Sequence, residues 1–296
     1  MAQILIIGDG KAGHRNQSLG LAEALLRLGV SAEIREMAPL SRREALVGLI
    51  TGRCARLPVE PPAFLIGAGH ATHLTLLALK RIWGVPAVVL MKPTLPTACF
   101  DLCLVPEHDS PPVRANVVVT QGALNRMRPG QKVPGSGMIL IGGPSKGNDW
   151  DEVGLLDQLR SIIAHSADTR WCLTTSRRTP ESTLAQLRTL DSLEVVPVAA
   201  TGDGWLPEQL AITEQCWVSE DSVSMVYEAL TAGCAVGTLT VPWRRTGRLY
   251  RGLESLVQQG VITRYKPGQP VELARPATEF DEASRCAELI LNRGWL

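Results

Sequence analysis

The sequence predicts an α/β protein made of two halves of similar size, each a parallel sheet covered by helices. Short apolar, β-branched runs alternate with longer amphipathic stretches, as in doubly wound sheets. This alternation stops at 122–137, a segment rich in Gly, Pro and cations, and then restarts. The chain has 296 residues, enough for two domains of roughly 100–200 residues each. We therefore expect an N-terminal domain over 1–125, a linker over 126–137 and a C-terminal domain over 138–296, with a cleft between the domains.

The first half begins with a strand, ILIIG (4–8), and an amphipathic helix, QSLGLAEALLRLG (17–29). Further strands are predicted at 31–37, 63–68, 87–91, 101–106 and 116–120, with helices from about Ser41 and over 71–84. The second half repeats this order without repeating the sequence. Its strands are predicted at 138–143, 170–175, 193–198, 215–219 and 235–241, and its helices from about Asp149 and over 180–190, 222–232, 250–260 and 279–296.

Composition excludes several classes of function. The formal net charge is +1, so no global field attracts nucleic acid. The N-terminus lacks the basic region of a signal peptide, and no apolar stretch approaches the ~18–20 residues of a spanning helix. Seven scattered cysteines without C-x-x-C or zinc spacing favour free thiols and predict no metal site. We expect a cytoplasmic protein. A peripheral contact with the inner face of the membrane stays open, since the segment 52–62 is only mildly basic.

A glycine motif follows the first strand, where Gly8, Gly10 and Gly13 form G-x-G-x-x-G. A dinucleotide fingerprint would press the third glycine, inside a helix, onto the sheet. Here the tail from His14 to Ser18 is polar, and the apolar helical face starts only after it. The sequence therefore predicts that the loop continues past Gly13 and binds a polar ligand. A nicotinamide-dinucleotide site and a plain glycine turn are the alternatives.

Two histidines follow strands of the first half. His14 is the candidate general base, because imidazole accepts a proton near neutral pH, and capping of the turn is the alternative. His70, in IGAGHATH, opens the next helix. Two roles explain His70 equally well: positioning of that helix, and catalysis.

A second glycine loop, GGPSKGN (142–148), follows the first strand of the second half. Glycine amides ahead of a helix can approach a phosphate. The same segment matches the hydrolase elbow G-x-S-x-G through Ser145, but the histidine that follows, His165, falls in the next predicted helix. Asp149 and Asp151 form D-x-D, for which helix capping is the alternative to metal binding.

Two further segments of the second half point to an anionic ligand. Arg177 and Arg178 precede Pro180 at a helix start, where guanidinium groups can bind a diphosphate bidentately; a solvated basic turn is the alternative. In CWVSEDSVSMVYEALTAGCAV, Ser222 and Ser224 fall in the first turn of a helix, where free amides and hydroxyls receive phosphate. Glu228 lies one turn further on the same face and can accept from ribose hydroxyls. Helix capping would explain the serines but not Glu228.

These motifs resemble known enzymes. GDGKAGHRNQSLGLAEAL and ILIGGPSKGN resemble the two glycine loops of the lipid II-forming N-acetylglucosaminyltransferase, and SEDSVSMVYEALTAGCAVGTLTVPW resembles its donor-binding helix and strand. These are features of the GT-B class of glycosyltransferases, which have two Rossmann-like domains. The first loop, the SRRTP turn and the SEDSVSMVYEAL helix together are also similar to the elongated-mitochondria family. That family has plant members linked to mitochondrial fission and bacterial members regarded as candidate glycosyltransferases.

The resemblance implies a nucleotide-sugar site in the C-terminal half. Ribose would contact Glu228. The diphosphate would contact a set of small and cationic residues: Gly143, Ser145, Lys146, Arg177, Arg178, Ser222 and Ser224. Backbone and cationic groups rather than a metal would stabilise the leaving diphosphate. The final helix would pack back across the N-terminal domain, as in relatives.

The resemblance also implies that the N-terminal half binds the acceptor. The acceptor loop would include Gly10, Gly13, Asn16 and Gln17. His14 or Asp9 would deprotonate the acceptor hydroxyl. We therefore expect a glycosyltransferase, inverting and needing no cofactor, that uses a nucleotide-diphosphate sugar and an envelope glycan or lipid-linked acceptor. A non-catalytic binding or scaffold protein on the same fold and an NAD(P)-dependent oxidoreductase are the alternatives.

Overall fold

The computed structural model describes residues 2–54, 57, 60–269 and 272–296; four positions of the 52–62 segment therefore lie outside the described residues. The chain divides into two compact units. The first unit runs to Arg126 and also includes Asp281–Leu296, so the closing helix belongs to it. The second unit is Met127–Phe280.

The first unit contains a six-stranded sheet in the order β2-β1-β3-β4-β5-β6, in which the paired strands are parallel. Its strands are β1 (Ala2–Ile7), β2 (Ala32–Met37), β3 (Phe64–Ala68), β4 (Ala87–Leu90), β5 (Leu102–Pro106) and β6 (Val117–Thr120). Its helices are α1 (Ala12–Arg27), α2 (Arg42–Thr51), α3 (His73–Trp83) and, from the end of the chain, α9 (Glu282–Leu291).

Burial follows the position of each strand in this sheet. Every residue of β3, β4 and β5 is buried, whereas β2 and β6 lie at the edges and are partly exposed. Ile4 and Ile6 of β1 join the core on one face of the sheet, and Leu5 and Ile7 join the core on the other. Continuous apolar runs thus form central strands because helices cover both faces.

The closing helix α9 packs against α1 on one face of the first sheet. Asp281 caps α9 by accepting a hydrogen bond from the Ser284 amide, 3.0 Å away. On α1, a side chain at Gly20 would collide with the backbone carbonyl of Asn125, so this close approach requires glycine.

The second unit also contains a six-stranded sheet with parallel pairs, in the order β12-β11-β10-β7-β8-β9. Its strands are β7 (Ser136–Ile141), β8 (Arg170–Thr175), β9 (Leu193–Val196), β10 (Gln215–Ser219), β11 (Ala235–Leu239) and β12 (Thr263–Arg264). Its helices are α4 (Glu152–His165), α5 (Glu181–Leu187), α6 (Trp205–Ile212), α7 (Val223–Thr231) and α8 (Arg248–Gln258). The predicted α/β class, with two Rossmann-like parallel sheets, is confirmed.

The structure differs from the sequence prediction at three elements. Helix α6 was not predicted, and neither was the two-residue strand β12. Helix α1 begins at Ala12, so Gly13 and His14 lie in its first turn, and the prediction that the loop continues past Gly13 is wrong. The polar residues of this first turn bond to other polar side chains, His14 to Asp9 and Arg15 to Glu36, so the apolar periodicity begins later than the helix.

Candidate functional site

The predicted site residues gather at the carboxyl end of each sheet, where the strand order reverses. In the first sheet the reversal lies between β1 and β3, and in the second sheet between β7 and β10. The loops that leave these strands diverge to opposite faces of the sheet and open a crevice, which is where open α/β sheets bind ligands. Asp9 and Gly69 follow β1 and β3, whereas Gly142 and Glu220 follow β7 and β10.

Asp9 and His14 form a hydrogen-bonded pair in the first unit. Asp9 Oδ2 lies 2.9 Å from His14 Nδ1, and Asp9 Oδ1 accepts from the Lys11 amide, 3.2 Å away. Burial acts to raise the pKa of Asp9, but these hydrogen bonds and the charges of His14 and Lys11 hold it below its ordinary value. A charged Asp9 keeps the proton on Nδ1 of His14, which leaves Nε2 as a proton acceptor.

The imidazole of His14 lies against Gly69, whose φ is +84°. A Cβ at Gly69 would overlap the His14 ring. Nearby, Met91 at the end of β4 has a φ of 69°, a strained conformation for a side chain of this size. Its Sδ atom is 3.6 Å from Gln17 Nε2 on α1. The structure thus brings Asp9, His14 and Gln17 to one end of the sheet.

The glycines of the first loop do not pack as a dinucleotide fingerprint requires. A Cβ at Gly8, Gly10 or Gly13 would meet nothing within 4 Å, whereas the third glycine of that fingerprint provides close contact between helix and strand. Gly10 has a φ of +80° and is exposed, and Asn16 is partly exposed on the second turn of α1. This geometry argues against the nicotinamide alternative.

In the second unit the glycine loop after β7 is hydrogen-bonded to the segment after β10. The Gly142 amide donates to Ser219 Oγ at 2.8 Å, and the Gly143 amide donates to Asp221 Oδ2 at 3.0 Å. A Cβ at either glycine would overlap its neighbours. The two glycines are needed because the backbone approaches so closely.

Arg178 joins the glycine loop to Asp221 through hydrogen bonds of its guanidinium group. Its Nη2 atom donates to Asp221 Oδ2 at 2.7 Å, and Nη1 donates to the carbonyls of Gly143 (2.6 Å) and Pro144 (3.3 Å). The Asp221 side chain is fully buried. The charge of Arg178 is therefore already paired within the protein. Arg177 is exposed, and none of the described residues pairs with it.

The N-terminus of α7 carries unsatisfied donors. Ser222 is the N-cap residue, yet its side chain makes no capping hydrogen bond and lies 3.4 Å from Ser224 Oγ. Among the described residues we find no acceptor for the amides of Val223 and Ser224. Capping does not account for these serines, and the helix start can receive an anion.

Glu228 lies on the same helix, one turn beyond Ser224. Its side chain is partly buried, and no described residue donates a hydrogen bond to its carboxylate. Burial raises its pKa to about 7. A carboxylate without donors beside an unsatisfied helix start is poised to accept hydrogen bonds from a ligand.

A pocket of about 690 Å³ adjoins the glycine loop and Asp221. Its lining includes Asn148 from the loop and five residues that were not predicted as site residues: Trp243, Arg245, Gly247, Arg248 and Leu249. The segment VPWRRTG (241–247) contains two adjacent arginines after a strand. The same signal led us to the SRRTP turn, and it could have identified this segment as well.

The remaining chemical alternatives have structural explanations. Ser145 Oγ bonds to Asn148 Oδ1 at 3.1 Å, while His165 bonds to its own helix, so no nucleophile–histidine pair forms. Asp151 caps α4 through the Gly154 amide, and Asp149 pairs with Arg244. Over 2–54, 57, 60–269 and 272–296, no group of three or more His, Cys, Asp or Glu residues could hold a metal ion. None of the described helices is long and apolar enough to cross a membrane.

Comparison with known proteins agrees with this fold. The model of the family described as mitochondrial fission ELM1 matches residues 12–294. No match to a curated protein was found. Structures with the same GT-B fold cover almost the whole chain, at low identity.

Three of these structures illustrate the likeness. The glycotransferase of kitacinnamycin is 14% identical with a TM-score of 0.54, over 99% of both chains. A candidate UDP-N-acetylglucosamine 2-epimerase from Listeria monocytogenes is 12% identical with a TM-score of 0.54, over 98% of this chain and 88% of that one. MurG from Acinetobacter baumannii is 12% identical with a TM-score of 0.46, over 100% of this chain and 92% of that one.

Proposed function

We propose that this chain, which belongs to the mitochondrial fission ELM1 family and has the GT-B fold, is a glycosyltransferase. It would move a sugar from a nucleotide-diphosphate sugar to a hydroxyl of an envelope glycan or lipid-linked acceptor. The observation that carries the proposal is the start of α7, where amides without an acceptor among the described residues lie one turn from Glu228, whose carboxylate has no donor among them either. A nucleoside diphosphate offers both complements, phosphate oxygens and ribose hydroxyls, at that spacing.

In the proposed donor complex, the diphosphate accepts hydrogen bonds from the start of α7 and lies beside the glycine loop, whose Gly142 and Gly143 amides are already bonded to Ser219 and Asp221. Ser222 and Ser224 contribute their hydroxyls, and Arg177 contributes positive charge. Arg178 acts differently from Arg177: it neutralises the buried Asp221 and positions the loop. These preorganised donors would stabilise the negative charge that develops on the leaving diphosphate without a metal ion.

The proposed acceptor step uses the Asp9–His14 pair. Nε2 of His14 takes the proton of the acceptor hydroxyl as its oxygen attacks the anomeric carbon. The bond from that carbon to the phosphate oxygen breaks, and its electron pair leaves with the diphosphate. A single displacement of this kind inverts the anomeric configuration. Asp9 does not touch the acceptor but orients the imidazole and stabilises its protonated form.

We further propose a peripheral contact between α2 and an anionic membrane surface. Leu46, Val47 and Ile50 are 50%, 47% and 77% exposed, which is unusual for three apolar side chains on one short helix. Arg42 and Arg43 on the same helix are also exposed. Apolar side chains flanked by arginine suit the boundary between head groups and acyl chains. This contact would bring a lipid-linked acceptor close to the first unit.

Ligand-induced stabilisation tests the donor site. A nucleoside diphosphate with a Kd near 100 μM, added at 1 mM, stabilises the folded chain by about 1.4 kcal/mol, which raises Tm by roughly 2 °C for a chain of 296 residues. We expect at least one of UDP, GDP, ADP, CDP and dTDP to do this, and Glu228→Ala to abolish the shift. The donor site is wrong if none of the five raises Tm at millimolar concentration.

A further inference from the structure

The pocket beside the glycine loop has a marked excess of hydrogen-bond donors. Lys146 and Arg245 line it, and no described residue pairs with either charged group. Arg248 adds a third cation to the lining.

Asn148 adds a buried donor to this pocket. The residue is only 2% exposed, and its Oδ1 atom accepts from Ser145 Oγ. Its Nδ2 atom is buried and has no partner in the described structure. A buried amide of this kind costs free energy unless a ligand or a water accepts from it.

Trp243 forms a fixed aromatic wall of the pocket. Its Nε1 atom donates to Glu220 Oε2 at 3.1 Å, and its ring makes an edge contact with Tyr250, at 5.5 Å between centroids. The buried Glu220 also accepts from Arg264 Nε at 2.6 Å. These contacts hold the indole in one orientation, suited to stacking against the apolar face of a sugar ring.

The carboxylates near the pocket already have cationic partners, and one buried oxygen, Asp221 Oδ1, has no hydrogen-bond partner among the described residues. Glu220 is held by Arg264 and Trp243, and Asp221, which lines the pocket, is paired with Arg178. A neutral sugar carries hydroxyl groups that need acceptors as well as donors. Apart from Asp221 Oδ1, the groups without a described partner are the donors of Lys146, Arg245 and Asn148, and an anion matches them best.

We propose that the transferred sugar carries a carboxylate, as in a hexuronic acid, and that Lys146, Arg245 and the Asn148 amide bind it while its ring stacks on Trp243. This inference rests on the proposed donor site, because the pocket adjoins the glycine loop and the segment leading into α7. The diphosphate occupies the helix start, and the sugar extends from it into the pocket.

The test measures binding of matched nucleotide sugars to the full chain by calorimetry. The probes are UDP, UDP-glucose and UDP-glucuronic acid, with GDP, GDP-mannose and GDP-mannuronic acid as the second series. We expect one uronic acid nucleotide to bind at least about tenfold more tightly than its neutral counterpart, as a charge-assisted contact provides. Arg245→Gln and Lys146→Met should each reduce this ratio to within about threefold. Arg188→Gln, an exposed arginine of the same unit outside the pocket, should leave it unchanged.

Two results would overturn the inference while leaving the donor site standing. The first is equal affinity for the neutral and acidic nucleotide sugars. The second is a loss of affinity in Arg245→Gln that is the same for the free diphosphate, the neutral sugar and the uronic acid, because the pocket would then hold the diphosphate itself. Failure of every nucleotide in both series to bind, together with no Tm shift from ADP, CDP or dTDP, would instead refute the proposed donor site.

Discussion

Replacing Glu228 by glutamine should stabilise the protein at alkaline pH. Burial raises the pKa of this carboxyl from 4.5 to about 7, so the folded chain holds the proton more tightly than the unfolded chain does. The stability that this protonation provides is fully present below pH 4.5 and is lost as the pH rises through 7. A shift of this size corresponds to about 3 kcal/mol once both states are ionised.

The assay is urea denaturation of the full chain at pH 5 and pH 8, followed by tryptophan fluorescence. Glu228→Gln removes the titrating group and keeps the shape of the side chain. Its free energy of unfolding should exceed that of the unmodified chain by about 2–3 kcal/mol more at pH 8 than at pH 5. Glu208→Gln, an exposed glutamate on α6, should show no such pH dependence. An equal effect of Glu228→Gln at both pH values would refute our description of Glu228 as a partly buried carboxyl group to which no described residue donates a hydrogen bond.

Four further predictions follow from the site and the surface. His14→Gln should lower the rate of sugar transfer at least about 100-fold, the usual contribution of a general base, with unchanged donor affinity by calorimetry; retained transfer would show that His14 only shapes the loop. Gly69→Ala should lower transfer similarly, because its Cβ overlaps the His14 ring, and unaltered activity would contradict that contact. Arg178→Gln should reduce the free energy of unfolding in urea by about 2–3 kcal/mol, because the buried Asp221 carboxylate loses its cationic partner, which is itself half-exposed. A change below about 0.5 kcal/mol would show that the buried Asp221 does not need the charge of Arg178. Ile50→Glu should weaken flotation with phosphatidylglycerol vesicles without altering nucleotide binding, and equal flotation would argue against the α2 contact.

Much of the fold could be predicted because its signals are local. The central strands are continuous apolar runs, and the structure has β3 at 64–68 and β8 at 170–175, within a residue of their predicted bounds. Helix α6 was not predicted because it contains Pro207 and because its apolar residues follow the helical period only weakly. Strand β12 has two residues and forms only by pairing with β11.

The candidate site could be predicted only in part. Glycine loops and serines at a helix start are visible in sequence because each motif lies within a few residues. The clamp between Arg178 and Asp221 joins residues 43 positions apart, and the hydrogen bond that fixes Trp243 depends on Glu220, 23 positions away. No spacing rule relates such pairs, because the order of strands in the sheet brings them together.

The central claim is that the second unit binds a nucleotide-diphosphate sugar at the start of α7. A crystal structure with whichever nucleoside diphosphate raises Tm most tests it directly. We predict that the ribose hydroxyls lie within hydrogen-bond distance of the Glu228 carboxylate, with phosphate oxygens on the amides of Val223 and Ser224. A nucleotide bound instead beside Asp9 and His14, or with its ribose away from Glu228, would contradict the claim.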